Sequence, residues 1–309
     1  MKIFNSINDF VCAKKTILTL GTFDGVHLGH RKILEKVTQN TQNDATESLV
    51  LTFFPHPRMI LQGQSDVKLL NTIGEKIDLL ENLGIQNLVI HPFDEAFSKL
   101  TAEEFVKTVL VDRFQIQKII IGYDHRFGKN RTANIDDLII FGKKYKFEVE
   151  QISVQEIEEV SISSTKIRKA LIEGNMAMAN EYLGYKYFLT GTVTKGKQLG
   201  RTLGFPTANL TIAENFKLIP RNGVYVVKSI FNQKPVFGMM NIGFNPTVVG
   251  ENLTIEIHYF DFDTDLYGQE IRVSILKHLR SEQKFDSIAL LKDQLEIDKK
   301  SSLIYIKSL

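Results

Sequence analysis

Apolar residues recur along this chain in two rhythms, and the rhythm changes near residue 184. In the first half, short apolar runs at 15–20, 48–54, 86–91, 117–122 and 147–154 alternate with segments of helical period at 30–40, 73–83, 101–114 and 134–145. Runs such as Lys118-Ile119-Ile120-Ile121 are continuously apolar rather than alternating, the mark of a parallel sheet covered on both faces. Thr101 followed by Ala102-Glu103-Glu104 has the form of an N-cap with acids in the first helical turn. This βα alternation predicts a doubly wound, Rossmann-like α/β domain, in which ligands bind at the carboxyl ends of the strands. Four of those strands end in Gly21-Thr22-Phe23-Asp24, Phe54-Pro55-His56-Pro57, Pro92-Phe93-Asp94 and Gly122-Tyr123-Asp124-His125, so polar chemistry converges where a ligand would sit.

Two helical pieces, 164–173 and 176–183, meet at Gly174-Asn175 and end at Gly184. Beyond them the pattern alternates with period two at 188–194, 207–212, 223–231, 235–241, 253–261 and 270–278, with a hairpin turn expected at Asn232-Gln233-Lys234. Several short strands punctuated by Gly and Pro predict a closed antiparallel β-barrel. A terminal helix from Phe285 to about Lys300 would lay Phe285, Ile288, Leu291 and Leu295 on that barrel. The expected domains are 1–184 and 185–309.

Composition narrows the class without naming a function. The 309 residues suit two domains, and 38 basic against 36 acidic side chains leave no electrostatic footprint for nucleic acid or a membrane surface. A single cysteine, Cys12, precludes an internal disulfide framework. Asn5, Asn8, Asp9 and Lys14 interrupt any signal-like apolar core near residue 1, so a cytoplasmic protein is expected. Nothing in the sequence argues for an oligomer.

The segment Gly21-Thr22-Phe23-Asp24-Gly25-Val26-His27-Leu28-Gly29-His30 follows the first long apolar run. Its glycines permit a tight turn against a ligand, and the helix that follows offers free N–H groups and a positive dipole end to phosphate. His27 and His30 are three apart and share one side of that helix start, where imidazoles can donate to phosphate oxygens. They could instead be a zinc pair, which would need a third ligand, or simple helix caps. In Ser161-Ile162-Ser163-Ser164-Thr165-Lys166-Ile167-Arg168, hydroxyls precede a helix whose first turn carries two cations. Cations there oppose the helix dipole unless an anion lies over them.

A second phosphate-handling segment runs from Gly191 to Asn209. Gly196, Gly200 and Gly204 make the loop, Lys195, Lys197 and Arg201 supply cations, and Pro206 stiffens the approach to Thr207. Thr207 and Asn209 share a strand face by period two, and their oxygens suit Mg²⁺. No Gly-Lys-Ser/Thr opens a helix here, so this is not a Walker A loop.

The first segment resembles the (H/T)xGH loop of nucleotidylyltransferases, and its full form is most similar to the adenylyltransferase half of bacterial flavin-synthesising enzymes. The second resembles the riboflavin kinase run Gly-Arg-x-Leu-Gly-Phe-Pro-Thr-Ala-Asn. Gly223-Val224-Tyr225, Asn241 to Thr247, Glu256, Asp265 to Gly268 and Arg280 to Asp286 follow in family order. The chain is thus similar throughout to bifunctional riboflavin kinase/FAD synthetases, whose activities would be riboflavin phosphorylation and FMN adenylylation with ATP and Mg²⁺, FMN and FAD being the products.

In the N-terminal half the resemblance implies catalytic His27 and His30. ATP phosphates would lie on Gly21, Thr22, Phe23, Asp24, Gly29, Ser163, Ser164, Thr165, Lys166 and Arg168, and flavin on Phe54, Pro55, His56, Pro57, Asp124 and Phe127. In the C-terminal half it implies Glu256 as general base and ATP on Gly196, Lys197, Gly200, Arg201, Gly204 and Pro206. Flavin would lie on Asn245, Arg280, Glu282 and Phe285, and metal on Thr207 and Asn209. The family often places a glycine where this chain reads Arg131-Thr132-Ala133, so that turn is left out. A flavoprotein oxidoreductase and a flavin-binding protein with one active half remain as alternatives, although no Gly-x-Gly-x-x-Gly follows the first strand.

Overall fold

The computed structural model describes the chain except residues 42–44, 62–66, 123–124, 154–161, 197–198 and 248–249, and except the side chains of 61, 199, 201, 245–247 and 250–252. Contacts divide it into two units, Met1–Ser164 and Thr165–Leu309. The first is an α/β unit built on a six-stranded sheet. Its strands are β1 (Lys2–Phe4), β2 (Lys15–Leu20), β3 (Thr46–Phe53), β4 (Asn87–His91), β5 (Ile116–Gly122) and β6 (Glu148–Ile152). They lie in the order β1-β4-β3-β2-β5-β6, every neighbouring pair parallel. The order reverses direction between β2 and β5, and a doubly wound sheet opens its ligand crevice at such a reversal. The loop that follows β2 therefore starts at the crevice.

The helices of this unit are α1 (Leu28–Gln39), α2 (Pro57–Leu61), α3 (Ile73–Asn82), α4 (Glu95–Ser98), α5 (Ala102–Glu104) and α6 (Ile135–Tyr145). Capping boxes open α3 at Thr72/Glu75, α5 at Thr101/Glu104 and α6 at Asn134/Asp137. The helix expected over 101–114 differs in kind, because α5 runs on as a π-helix over Phe105–Arg113. Phe105, Val106, Val109, Leu110 and Phe114 are all buried in the core of the unit, and the Phe114 N–H reaches back five residues to the Val109 carbonyl. The edge strand β1 was not foreseen, being too short to show a period.

Unit two is a closed barrel of β7 (Phe188–Thr194), β8 (Ala208–Thr211), β9 (Gly223–Phe231), β10 (Lys234–Thr247), β11 (Gly250–Tyr259) and β12 (Glu270–Arg280). It closes in the order β10-β11-β8-β7-β12-β9, all antiparallel. Asn232 and Gln233, at φ 49° and 64°, form the expected tight hairpin between β9 and β10. Four helices accompany the barrel: α7 (Ser164–Glu173), whose first residue belongs to unit one, α8 (Met176–Leu183), α9 (Leu199–Thr202) and α10 (Ile288–Ile306).

α8 docks on the barrel through Asn180, whose Nδ2 donates to the Ile275 carbonyl at 3.1 Å while its Oδ1 accepts from the Tyr187 N–H at 2.7 Å. The terminal helix α10 turns the expected face inward from Leu291 onward but not at Ile288. Ile288 is 65% exposed, while Leu295, Leu303 and Ile306 pack against a cluster of Phe205, Val224, Met239 and Phe260. Ser287 is the N-cap, so Ile288 stands in the first turn, before the helix reaches the barrel.

Candidate active sites

In unit one the site grows from the end of β2. The Gly21 N–H still donates to the Leu51 carbonyl at 3.0 Å, and the chain then leaves the sheet through Phe23 at φ 44°, Gly25 at φ 91° and Val26 at φ 37°. Positive φ is free for glycine and costs Phe and Val about 1–3 kcal/mol each, so neighbours must hold this turn. They are identifiable. The buried Asp24 carboxylate accepts from the Leu70 N–H at 2.8 Å. The Thr22 carbonyl accepts from Lys76 Nζ at 2.7 Å and from the Thr52 hydroxyl at 3.3 Å. Ser164 Oγ donates to the Asp24 carbonyl at 2.9 Å, which ties the first residue of α7 to the loop.

His27 is the N-cap of α1, its Nδ1 accepting from the His30 N–H at 3.4 Å. A neutral imidazole that accepts at Nδ1 carries its proton on Nε2, so Nε2–H is the donor left to His27. The capping reading and the phosphate reading are therefore compatible in one residue. The two rings stack at 3.7 Å between centroids with 17° between planes, and Phe23 meets His30 edge-on at 5.3 Å. Burial pushes His27 down to about 4 and His30 well below the usual imidazole range, so both are neutral at pH 7. His30 Nδ1 is buried without a hydrogen-bond partner. Gly29 is buried between the two histidines in sequence, on the first turn of α1.

The other candidates of this unit divide. Phe54 and Pro55 leave the end of β3 joined by a cis peptide, and the buried His56 accepts the Arg58 N–H on Nδ1 at 3.1 Å as α2 begins at Pro57. Phe127 is 7% exposed, bridges to Ala133 and belongs to the apolar core, so its ring is a packing element. Asp124 lies outside the described residues. Ser163, half-buried, precedes α7, whose exposed Thr165 and Lys166 and half-buried Arg168 belong to the second unit.

Lys76 escaped the sequence reading, although a signal was available. It falls on the buried stripe of α3 with Leu79 and Leu80, and a cation in an apolar stripe asks for a partner. Burial pushes its ammonium down to about 8, against the pull of Asp24.

In unit two the site is assembled by strand register. Glu256 of β11 lies opposite Asn209 of β8 on one side and Asn241 of β10 on the other. Ile255, Ile257 and Tyr259 are buried, which leaves the half-buried Glu256 and His258 on the opposite face, as alternation predicts. Thr207 Oγ1 donates to Glu256 Oε2 at 3.4 Å. Gly196 lies over Asn209 so closely that a Cβ would come within 2.2 Å of its amide, so any larger residue would push that side chain aside. Gly200 closes the next turn by accepting the Phe205 N–H at 2.8 Å, and Gly204 takes φ 84° just before Phe205-Pro206. The Pro206 carbonyl accepts from His258 Nδ1 at 2.9 Å, which anchors the residue preceding Thr207.

Of the flavin candidates, Glu282 lies over β10, accepting from Asn222 Nδ2 at 3.3 Å beside Gly243. Arg280 is engaged by α10: its Nε and Nη2 donate to the buried Asp298 carboxylate at 2.9 and 2.7 Å, with the half-buried Phe285 ring at 5.8 Å. Lys197 and the side chains of Arg201 and Asn245 lie outside the described residues.

Comparison with known proteins matches this two-part arrangement. A family model described as FAD synthetase covers residues 10–166, and one described as riboflavin kinase covers residues 183–306. A bifunctional riboflavin kinase/FMN adenylyltransferase of Listeria monocytogenes is 36% identical over 95% of this chain and 93% of its own length. The protein of the same description from Escherichia coli K12 is 35% identical over 96% of each. A crystal structure described as a macrolide-efflux protein from Streptococcus pneumoniae superposes with TM-score 0.87 at 31% identity, covering 97% of both chains. No helix among the described residues of this chain is long and apolar enough to cross a membrane.

Proposed function

This chain belongs to the bifunctional riboflavin kinase/FMN adenylyltransferase family, and on that premise we propose how its residues divide the two reactions. The chain phosphorylates riboflavin to FMN and adenylylates FMN to FAD, using ATP in both steps. We assign the kinase to the barrel unit and the adenylyltransferase to the parallel-sheet unit, and place both reactions in the cytoplasm.

The observation that carries the kinase assignment is the contact of Glu256 Oε2 with Thr207 Oγ1, in register with Asn209. Glu256 removes the proton of the ribityl 5′-hydroxyl as that oxygen attacks the γ-phosphorus of ATP and the bond to ADP breaks. Thr207 and Asn209 present hard oxygen donors under the Gly196 cradle, which fits Mg²⁺. When bound there, Mg²⁺ would offset the charge of the ATP phosphates. Gly200, Gly204 and the cations Lys197 and Arg201 belong to the loop that receives those phosphates. Asn245, Glu282, Phe285 and Arg280 are assigned to the flavin side, Arg280 acting through its hold on α10.

In the sheet unit an FMN phosphate oxygen attacks the α-phosphorus of a second ATP, and the bond to pyrophosphate breaks. No protein nucleophile is needed. His27 Nε2–H and His30 face the charge that grows on the α- to γ-phosphates, on a loop already held in its turned form. Neutral imidazoles each keep one N–H, which can be donated to phosphate. Lys166 and Arg168 neutralise the triphosphate from the start of α7, and Phe54 to Pro57 flank the flavin.

The full chain incubated with riboflavin, ATP and Mg²⁺ should convert riboflavin to FMN and then to FAD, resolved by chromatography. Tightly bound flavin reducible by NADPH, without net synthesis, would instead favour an oxidoreductase.

A further inference from the structure

The turn that follows β2 carries two non-glycine residues with positive φ, and something must hold it at that cost. One clamp is the Leu70 N–H on the Asp24 carboxylate. The other is a cation. Lys76 is 4% exposed, reaches from the buried stripe of α3 and donates to the Thr22 carbonyl at 2.7 Å. Thr52 Oγ1 takes the second lone pair of that carbonyl at 3.3 Å. Burying an ammonium against one carbonyl is expensive, and Thr52 shows that a neutral hydroxyl can serve the same oxygen. The Asp24 carboxylate of the same turn offsets part of that cost, and an anion bound on the loop would offset more.

We propose that Lys76 is a positioning residue for adenylyl transfer, its ammonium holding the Thr22 carbonyl so that the turn presents His30 and the free α1 N–H groups to the ATP phosphates. The inference rests on the adenylyltransferase reading of unit one. Two titratable groups face Lys76: Asp24, in the same turn, favours its charge, and His30, on α1 with His27 stacked on it, opposes it. From β3, Thr52 shares the Thr22 carbonyl with it. Both imidazoles are neutral well above pH 5, so on the alkaline side Lys76 is the member of this group that titrates, near 8. Its deprotonation removes the cation while leaving an amine able to donate.

The test uses the full chain as wild type, Lys76→Met and Lys76→Arg, measuring FMN to FAD and riboflavin to FMN separately between pH 6.5 and 10. Wild-type kcat/KM for ATP in FAD formation should fall about tenfold per unit above pH 8. Lys76→Met should lower kcat of that step roughly 10²-fold, on the scale of one lost transition-state contact, with riboflavin kinase turnover unchanged. Lys76→Arg keeps the charge at every pH, so it should hold kcat within about tenfold and lose the alkaline fall.

A Lys76→Met chain with turnover within threefold of wild type overturns the proposal. So does equal loss in both variants with a wild-type profile flat through pH 9, which would mark Lys76 as packing alone. If Lys76→Met fails to fold, judged by near-UV circular dichroism, the Arg variant and the wild-type profile decide. A wild type that makes FMN but no FAD overturns the reading of unit one, and this inference with it.

Discussion

His30 donates its backbone N–H to Nδ1 of His27, and their rings stack at 3.7 Å, so the two histidines act as one assembly. One member shapes the helix start and the other is left with a buried, unpartnered Nδ1. Removing either should therefore do different things.

His30→Ala removes a phosphate-facing ring and leaves the cap acceptor on His27. Turnover of FMN to FAD should fall roughly 10²-fold or more, on the scale of one transition-state donor. Apparent FMN affinity should change little, and riboflavin kinase turnover not at all. Steady-state kinetics of the two half-reactions on the purified variant decide it. Weakened FMN binding with normal turnover would make the ring a pocket wall.

Stability against acid follows from the same pair. His27 is held at about 4 when folded against an ordinary value near 6.5, so between those values the unfolded chain binds more protons. The stability it contributes is present above pH 6.5 and is lost as pH falls through 4. At 1.36 kcal/mol per unit this is about 3 kcal/mol at most, with His30 adding in the same direction. His27→Asn keeps an N-cap acceptor that does not titrate and should flatten the fall in melting temperature between pH 6.5 and 4.5. An unchanged pH slope in that variant would remove His27 as its source.

Much of this was legible in the sequence, because it depended on local pattern. Strands β2 to β6 and the barrel strands follow from apolar runs and alternation, and the Gly21 to His30 loop from its own glycines and histidines. What escaped depended on distant neighbours. Lys76 reads as an ordinary helix lysine until α3 is laid against the β2 loop. Nothing near Arg280 in sequence points to Asp298, which α10 brings to it, nor anything near Phe127 to the Phe105 ring beside it. The π-helical turn at 105–113 has no signature in the sequence, because its buried Phe105, Val106, Val109 and Leu110 keep an ordinary helical spacing.

Glu256→Gln tests the other site. The amide keeps the size and can still meet Thr207 Oγ1, but it cannot take a proton, so riboflavin phosphorylation should fall roughly 10²–10⁴-fold. Supplied FMN should still be converted to FAD at near wild-type rate. A variant with near-normal phosphorylation would exclude Glu256 as the base.

Where the chain can be cut is the last question, and the contacts of α8 answer it differently from the sequence rhythm. A fragment 185–309 retains every kinase residue named above and should make FMN but no FAD. It lacks Asn180, however, whose side chain satisfies the Ile275 carbonyl and the Tyr187 N–H in a buried setting. Each such group left unmet costs about 1–3 kcal/mol, and the barrel also loses the cover of Met176, Ala179 and Leu183, which are buried in the full chain. A fragment 165–309 keeps all of these. At roughly 2–4 °C per kcal/mol for a domain near 150 residues, the longer fragment should melt several degrees higher, with the same kinase turnover at low temperature. Equal melting temperatures would show that α8 adds nothing to the barrel. A folded 165–309 unable to phosphorylate riboflavin, beside an active full chain, would refute the assignment of the kinase to this unit.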